Sequence, residues 1–296
     1  MSISPDIEAK ADHVLQHSKE LRLSIASAER ADTERADIER ADIERPGIEQ
    51  WRNPKKFYEW LGLLPEQERL PVLDDRIMQV KSTHGQYHPS ALFLDFLRLA
   101  WDPKKEVNYR FQLCQLILFR IEKHDNGKRN GREPNNLVQF ARFGCILELC
   151  KLHLYARRGE VAMQAADRLE QIARNDHDML CAFWLQGAAH NVQKQFESAL
   201  KVSLKCMSLL HEKCNDCIEQ GIQVILVIAA AFRRVQNFKT AKNWRAEGLS
   251  WRRLRSSAVK KYIETTTELL ENTEDAEHDD TAETSPELCK FGEEII

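Results

Sequence analysis

The chain has 296 residues, 43% of them hydrophobic and 30% charged, with a formal net charge of −3 and a mean hydropathy of −0.52. That is enough apolar material for one large core or two small ones, and enough charge for solvated extensions. Only 11 glycines and 9 prolines punctuate it, which argues against a turn-rich, all-β fold.

The N-terminal stretch MSISPDIEAKADHVLQHSKE lacks an apolar core of the kind a secretory signal needs. The longest uninterrupted apolar run, Val224 to Phe232, is nine residues, against the roughly 20 that cross a bilayer. The expectation is a soluble intracellular protein, cytoplasmic or nuclear, without membrane contact. Its eight cysteines are then reduced, most of them serving as small buried hydrophobes.

Residues 1–50 read as a charged extension, helical or disordered. Within it Ala31–Arg45 is a tandem ADTER-ADIER-ADIER. A five-residue period turns successive Ile positions by about 140° on a helix, so it builds no apolar face. It does pair Asp32 with Arg35, Asp37 with Arg40 and Asp42 with Arg45 at i,i+3. Residues 51–124 form a helical N-terminal region. Phe57, Tyr58, Trp60, Leu61, Leu63 and Leu64 suggest one helix closed by Pro65, followed by an irregular piece to about Pro89. Ser90 is the expected N-cap of an amphipathic helix ending before Pro103, and Val107 to His124 continues as another. The loop 125–134 carries two Asn-Gly pairs and marks the main boundary.

From 135 to 271 the pattern is helix, short turn, helix, repeated. The predicted helices are 135–157, 159–175, 178–193, 196–211, 215–235, 238–252 and 256–271. The stretch 272–296 is acidic and poor in large apolar groups until its last residues, an expected disordered tail.

Phe183, Gly187, Phe196, Ala199 and Cys206 follow the order F-x3-G-x8-F-x2-A-x6-C, which resembles a tetratricopeptide repeat. Ile225, Ile228, Ala229 and Phe232, followed by Phe238, Ala241 and Gly248, resemble a second copy. Small residues at those places let paired helices approach closely. Ala165 and Ala199 are 34 residues apart, the usual period of the family, and Ala199 and Ala241 are 42 apart. The resemblance covers residues 147–252. It implies an all-α fold of antiparallel helical hairpins stacked as a short tetratricopeptide-like solenoid, with an additional N-terminal helical segment.

The resemblance further implies a partner groove on the first helices of each pair, here Phe183, Trp184, Gly187, His190, Val227 and Ala230. The Lys, Asn and Arg of the carboxylate clamp in that family are replaced by Trp184, Ala188, Gln223, Val227 and Ala230. An apolar or helical peptide is therefore the expected ligand.

Two other clusters carry alternative readings. Cys206, His211, Cys214 and Cys217 include a CxxC pair and four zinc-type donors, although Cys206 also fills a small-residue packing position. Arg233, Arg234, Lys239, Lys242, Arg245, Arg252, Arg253, Arg255, Lys260 and Lys261 surround Trp244, Trp251 and a single acid, Glu247. Such a segment suits a polyanion or nucleic acid, a solvated outer face, or an internal partner in the acidic tail. No nucleophile elbow, phosphate loop, dinucleotide fingerprint or HExxH occurs, so no catalytic residue and no cofactor are expected. The leading expectation is a non-catalytic scaffold for a protein or peptide partner. A nucleic-acid-contacting regulator and a small zinc module stand as alternatives.

Overall fold

A computed structural model describes residues 3–36, 66–101, 106–126, 135–213 and 218–251. The expected helices at 57–64 and 256–271, the acidic tail and most of the loop 125–134 lie outside them. The described residues form ten α-helices and no strand: α1 Pro5–Ala36, α2 Glu66–His84, α3 Pro89–Trp101, α4 Val107–Asn126, α5 Asn136–Tyr155, α6 Gly159–Ile172, α7 Asp176–Val192, α8 Phe196–Lys213, α9 Ile218–Arg234 and α10 Phe238–Trp251. The fold is all-α. None of these helices is long and apolar enough to cross a membrane.

The chain divides into two compact units, Asp42–Leu152 and the combination of Met1–Ala41 with His153–Ile295. In the first, Leu73, Ile77 and Val80 on α2 meet the almost wholly buried α3. The sequence suggested an irregular piece here because Pro71 and several charges interrupt the pattern, yet Leu73, Ile77 and Val80 keep i, i+4, i+7 spacing and the helix forms. At the start of α3 the capping differs from expectation. Pro89 takes the first helical position, and the His88 Nδ1 accepts from the Ser90 N–H at 3.3 Å. Phe140 brings α5 onto the same core, edge-on to Phe93 and Phe96 at 5.6 and 5.7 Å. That packing is why the greater part of α5 groups with α2–α4 although it follows the loop 125–134.

Two buried charge systems fix the register of this unit. Asp95 accepts from Lys81 Nζ at 2.7 Å and from Arg120 Nη1 at 2.8 Å, tying α3 to both neighbours. Arg110 on α4 and Glu148 on α5 pair at 2.6 Å, with side chains 2% and 1% exposed. Burial raises the Glu148 carboxyl pKa, while Lys151 and Arg110 pull it back down.

The second unit stacks α6 to α10 in chain order, each helix against its neighbours, with α9 also touching α7. Three of its connections are the same turn. Arg157, Lys194 and Gln236 have φ of 55°, 60° and 64°. In each turn that residue donates its N–H to the carbonyl three residues back, and the next N–H reaches five back: Arg157 to Leu154 and Arg158 to His153, Lys194 to Asn191 and Gln195 to His190, Gln236 to Arg233 and Asn237 to Phe232. This double bond closes the helix end, and it demands a left-handed residue for which glycine is the unstrained choice.

The turns give a register that composition alone did not. Ala162, Ala199 and Ala241 each lie five residues past the left-handed position, and each donates to the carbonyl four residues back. The counterpart of Ala199 in the preceding hairpin is thus Ala162, which is fully buried, and not Ala165, which is half-buried. The first step is 37 residues instead of 34. Seven residues before each turn stand Cys150, Gly187 and Ala229, all small. A Cβ on Gly187 would lie 2.5 Å from Ser203 Oγ and 3.2 Å from Val227 Cγ1, so α7 meets both α8 and α9 there.

The first 19 residues of α1 do not behave as an extension. Ile7, Ala11, Val14, Leu15, Ser18 and Leu21 are buried, and the helix packs on α8 and α10. Helicity was one of the two expected states, but this packing was not anticipated.

Two outcomes test this description. Lys194→Gly or Gln236→Gly relieves a left-handed side chain and is expected to stabilise the chain by about 0.5–1 kcal/mol in urea unfolding, where Lys194→Val destabilises it. Glu148→Gln strands the Arg110 cation and should cost about 3–5 kcal/mol, whereas Arg110→Met combined with Glu148→Leu should cost far less or stabilise.

Candidate interaction surface

A partner surface needs residues that solvent can reach. Of the six residues expected to line a groove, Phe183 is 4% exposed, Trp184 7% and Val227 0%. Gly187 is also buried, at the helix crossing. Lys205 Nζ stands 4.2 Å above the Phe183 ring, so an α8 side chain covers that face. The Val227 carbonyl accepts from Asn191 Nδ2 at 3.0 Å. These four are spent on packing α7 against α8 and α9. His190 and Ala230 alone among the six stay partly open. His190 Nδ1 lies 2.7 Å from Gln195 Oε1, in the turn to α8.

Part of what solvent reaches on α9 is a strip at helical spacing. Leu226, Ala229, Ala230 and Arg233 are half-buried and share one face, with three uncharged members and a cation at the C-terminal end. The strip takes in Ala230 and Ala229 but shifts the accessible surface toward the end of α9.

Among the basic residues, Arg234, Lys239 and Lys242 are exposed, and Arg233 and Arg245 are half-buried. Arg252, Arg253, Arg255, Lys260 and Lys261 lie outside the described residues. Trp244 and Trp251 are both 0% exposed, so neither indole offers a face on which a base could stack. The intervening acid, Glu247, is 3% exposed and belongs to the interior.

Of the expected cysteine cluster only the Cys206 side chain lies within the described residues. Cys206 is fully buried and its thiol points to the Leu180 carbonyl at 3.7 Å. Burial, followed by the neighbouring Cys181, pushes that thiol far above its ordinary pKa, which disfavours the thiolate a metal would need. Cys214 and Cys217 and the His211 side chain lie outside the described residues. Among the described residues no three His, Cys, Asp or Glu are grouped to hold a metal ion. Cys145 is likewise fully buried, and burial together with Cys114 raises its pKa.

The sequence reading overlooked one constellation altogether. Glu247 Oε1 accepts from Ser18 Oγ at 3.1 Å, Arg22 Nε at 3.3 Å and Trp251 Nε1 at 2.9 Å. Trp251 Nε1 also reaches Ser18 Oγ at 2.9 Å. Near the other end of the same contact, Asn237 Nδ2 donates to Glu8 Oε1 at 2.8 Å. The available signal was a lone acid in a basic stretch beside two tryptophans, but two of its partners, Ser18 and Arg22, stand more than 220 residues away in sequence.

No protein-family model, no curated protein and no solved structure matches the chain. The functional reading therefore rests on its own residues.

Glu247→Ala removes the acceptor that three buried or half-buried donors share. The expected cost is about 2–4 kcal/mol in denaturant unfolding, against no measurable change for Lys239→Ala or Lys242→Ala.

Proposed function

We propose that the chain is a non-catalytic interaction scaffold, a short array of tetratricopeptide-like hairpins that binds a protein or peptide partner. The observation that carries this reading is the threefold recurrence of one turn, at Arg157, Lys194 and Gln236, each followed five residues later by a close-packed or half-buried alanine. Recurrent turns at near-regular spacing are how repeat arrays are built, and such arrays generally work by presenting an extended surface. The surface this reading assigns is the α9 strip of Leu226, Ala229 and Ala230, closed by Arg233. Its uncharged members suit an amphipathic helix or an extended apolar peptide. The burial of Trp244 and Trp251 removes both indoles of the basic segment as stacking platforms, which favours the protein partner.

The test is proximity labelling in cells with full-length wild type, Leu226→Glu, Ala230→Arg and a control, Glu160→Ala, at an exposed position on α6. Both strip variants are expected to lose the same labelled protein or proteins by roughly tenfold or more, a loss of hot-spot size, while purified samples keep their melting temperature. An identical labelled set for all four chains would remove the strip as the binding surface.

A further inference from the structure

α1 is held in place by side chains whose counterparts are 225 to 233 residues further along the chain. Between them runs an entire second compact unit. The seat of α1 on α8 and α10 is made by residues remote in sequence, so its docking is chemically the recognition of a helical ligand by a groove.

The helix carries the anchors such recognition needs. Ile7, Ala11, Val14, Leu15, Ser18 and Leu21 fall at i, i+4, i+7, i+8, i+11 and i+14, a single stripe along four turns, and all are buried. Leu23, off the stripe, is 59% exposed. Fully buried Ala11 lets the helix settle closely at its middle.

The floor of the groove is built without α1. A Cβ on Gly221 would lie 2.5 Å from Trp251 Cζ3, so it is the absence of a side chain there that lets the indole rest on α9. Trp251 Nε1 in turn donates to Glu247 on its own helix, fixing the carboxylate between them. The remaining donors, the Ser18 hydroxyl and the Arg22 guanidinium, come from the occupant. An almost buried carboxylate that draws two of its three donors from a remote helix selects its ligand. It requires a hydroxyl and a cation four residues apart on an apolar stripe.

We propose that the α8–α10 groove is a helix-acceptor site whose internal occupant is α1, and that it accepts in its place an amphipathic helix from a protein partner. The partner helix carries aliphatic or small residues at the positions of Ile7, Ala11, Val14, Leu15 and Leu21, a hydroxyl at that of Ser18 and a cation at that of Arg22. The site is separate from the α9 strip, so either reading can fail without the other. Covalent attachment makes α1 an intramolecular competitor, so a free helix of equal affinity competes only weakly until α1 is loosened. The tether thereby sets a threshold for partner entry.

The experiment uses full-length chains and a fluorescent synthetic peptide of residues Ile3–Leu23, titrated by anisotropy. Ala11→Glu places a charge in the α1 stripe and leaves the groove intact. Arg22→Ala removes only the cation. The Ala11→Glu chain is expected to bind the peptide at least about tenfold tighter than wild type, with Arg22→Ala between them, because the internal competitor is weakened. A Ser18→Ala, Arg22→Ala peptide is expected to bind the Ala11→Glu chain about tenfold more weakly than the unaltered peptide, since it leaves Glu247 short of donors. Equal uptake by all three chains, or equal binding of the two peptides, overturns the proposal. Should Ala11→Glu lose its helical circular dichroism, the Arg22→Ala chain decides alone. Uptake no better than wild type there, or unfolding of that chain too, identifies α1 as a permanent part of the core and refutes the acceptor site.

Discussion

Two helices can lie only as close together as their smallest facing side chains allow, and in the stacked unit Gly187 sets that limit. With no Cβ, it brings α7 within contact of Ser203 on α8 and Val227 on α9 at the same level of the stack. Dispersion contacts fall off steeply with separation, so a wider crossing would forfeit attraction along the whole length of these helices. Phe183, Leu200, Leu204 and Ile228 are buried under the same constraint. The close approach also decides what remains outside: the residues nearest the crossing are consumed by it, and the accessible strip is displaced toward the C-terminal half of α9.

Each compact unit also holds acids that its apolar packing could have done without. Asp95 joins Lys81 to Arg120, Glu148 meets Arg110, and Glu247 gathers Ser18, Arg22 and Trp251. A buried charge pair is a poor source of net stability, because desolvation offsets most of the attraction. What it supplies is intolerance of error. A helix slipped by one residue along an apolar groove loses little, whereas a carboxylate left without its donors loses several kcal/mol, roughly the margin by which a domain is stable. In this chain, hydrophobic contact brings the helices together and the buried acids choose among the alignments that contact alone would permit.

The helices themselves were legible in the amino-acid order. Predicted spans of 135–157, 159–175, 178–193, 196–211, 215–235 and 238–252 became 136–155, 159–172, 176–192, 196–213, 218–234 and 238–251. Periodicity and turn residues act over a few positions, and a linear reading captures interactions of that range. The hairpin register was harder. Ala165 and Ala162 are equally alanine and three residues apart, and it took the left-handed turn at Arg157 to tell which one occupies the position of Ala199. Nothing in the composition announced that turn, because Arg, Lys and Gln stand where glycine is usual.

By itself, then, the sequence determined the all-α class, the bounds of most helices and the close crossing at Gly187, since backbone hydrogen bonding and side-chain periodicity are local. Tertiary structure alone decided that α1 is seated on α8 and α10, that Glu247 is an interior acceptor and not one charge in a solvated stretch, and that Phe183, Trp184 and Val227 are core instead of groove. Each of those outcomes depends on which distant surface arrives to exclude water. Exclusion of water is a property of the assembled fold, and no window of neighbouring residues contains it.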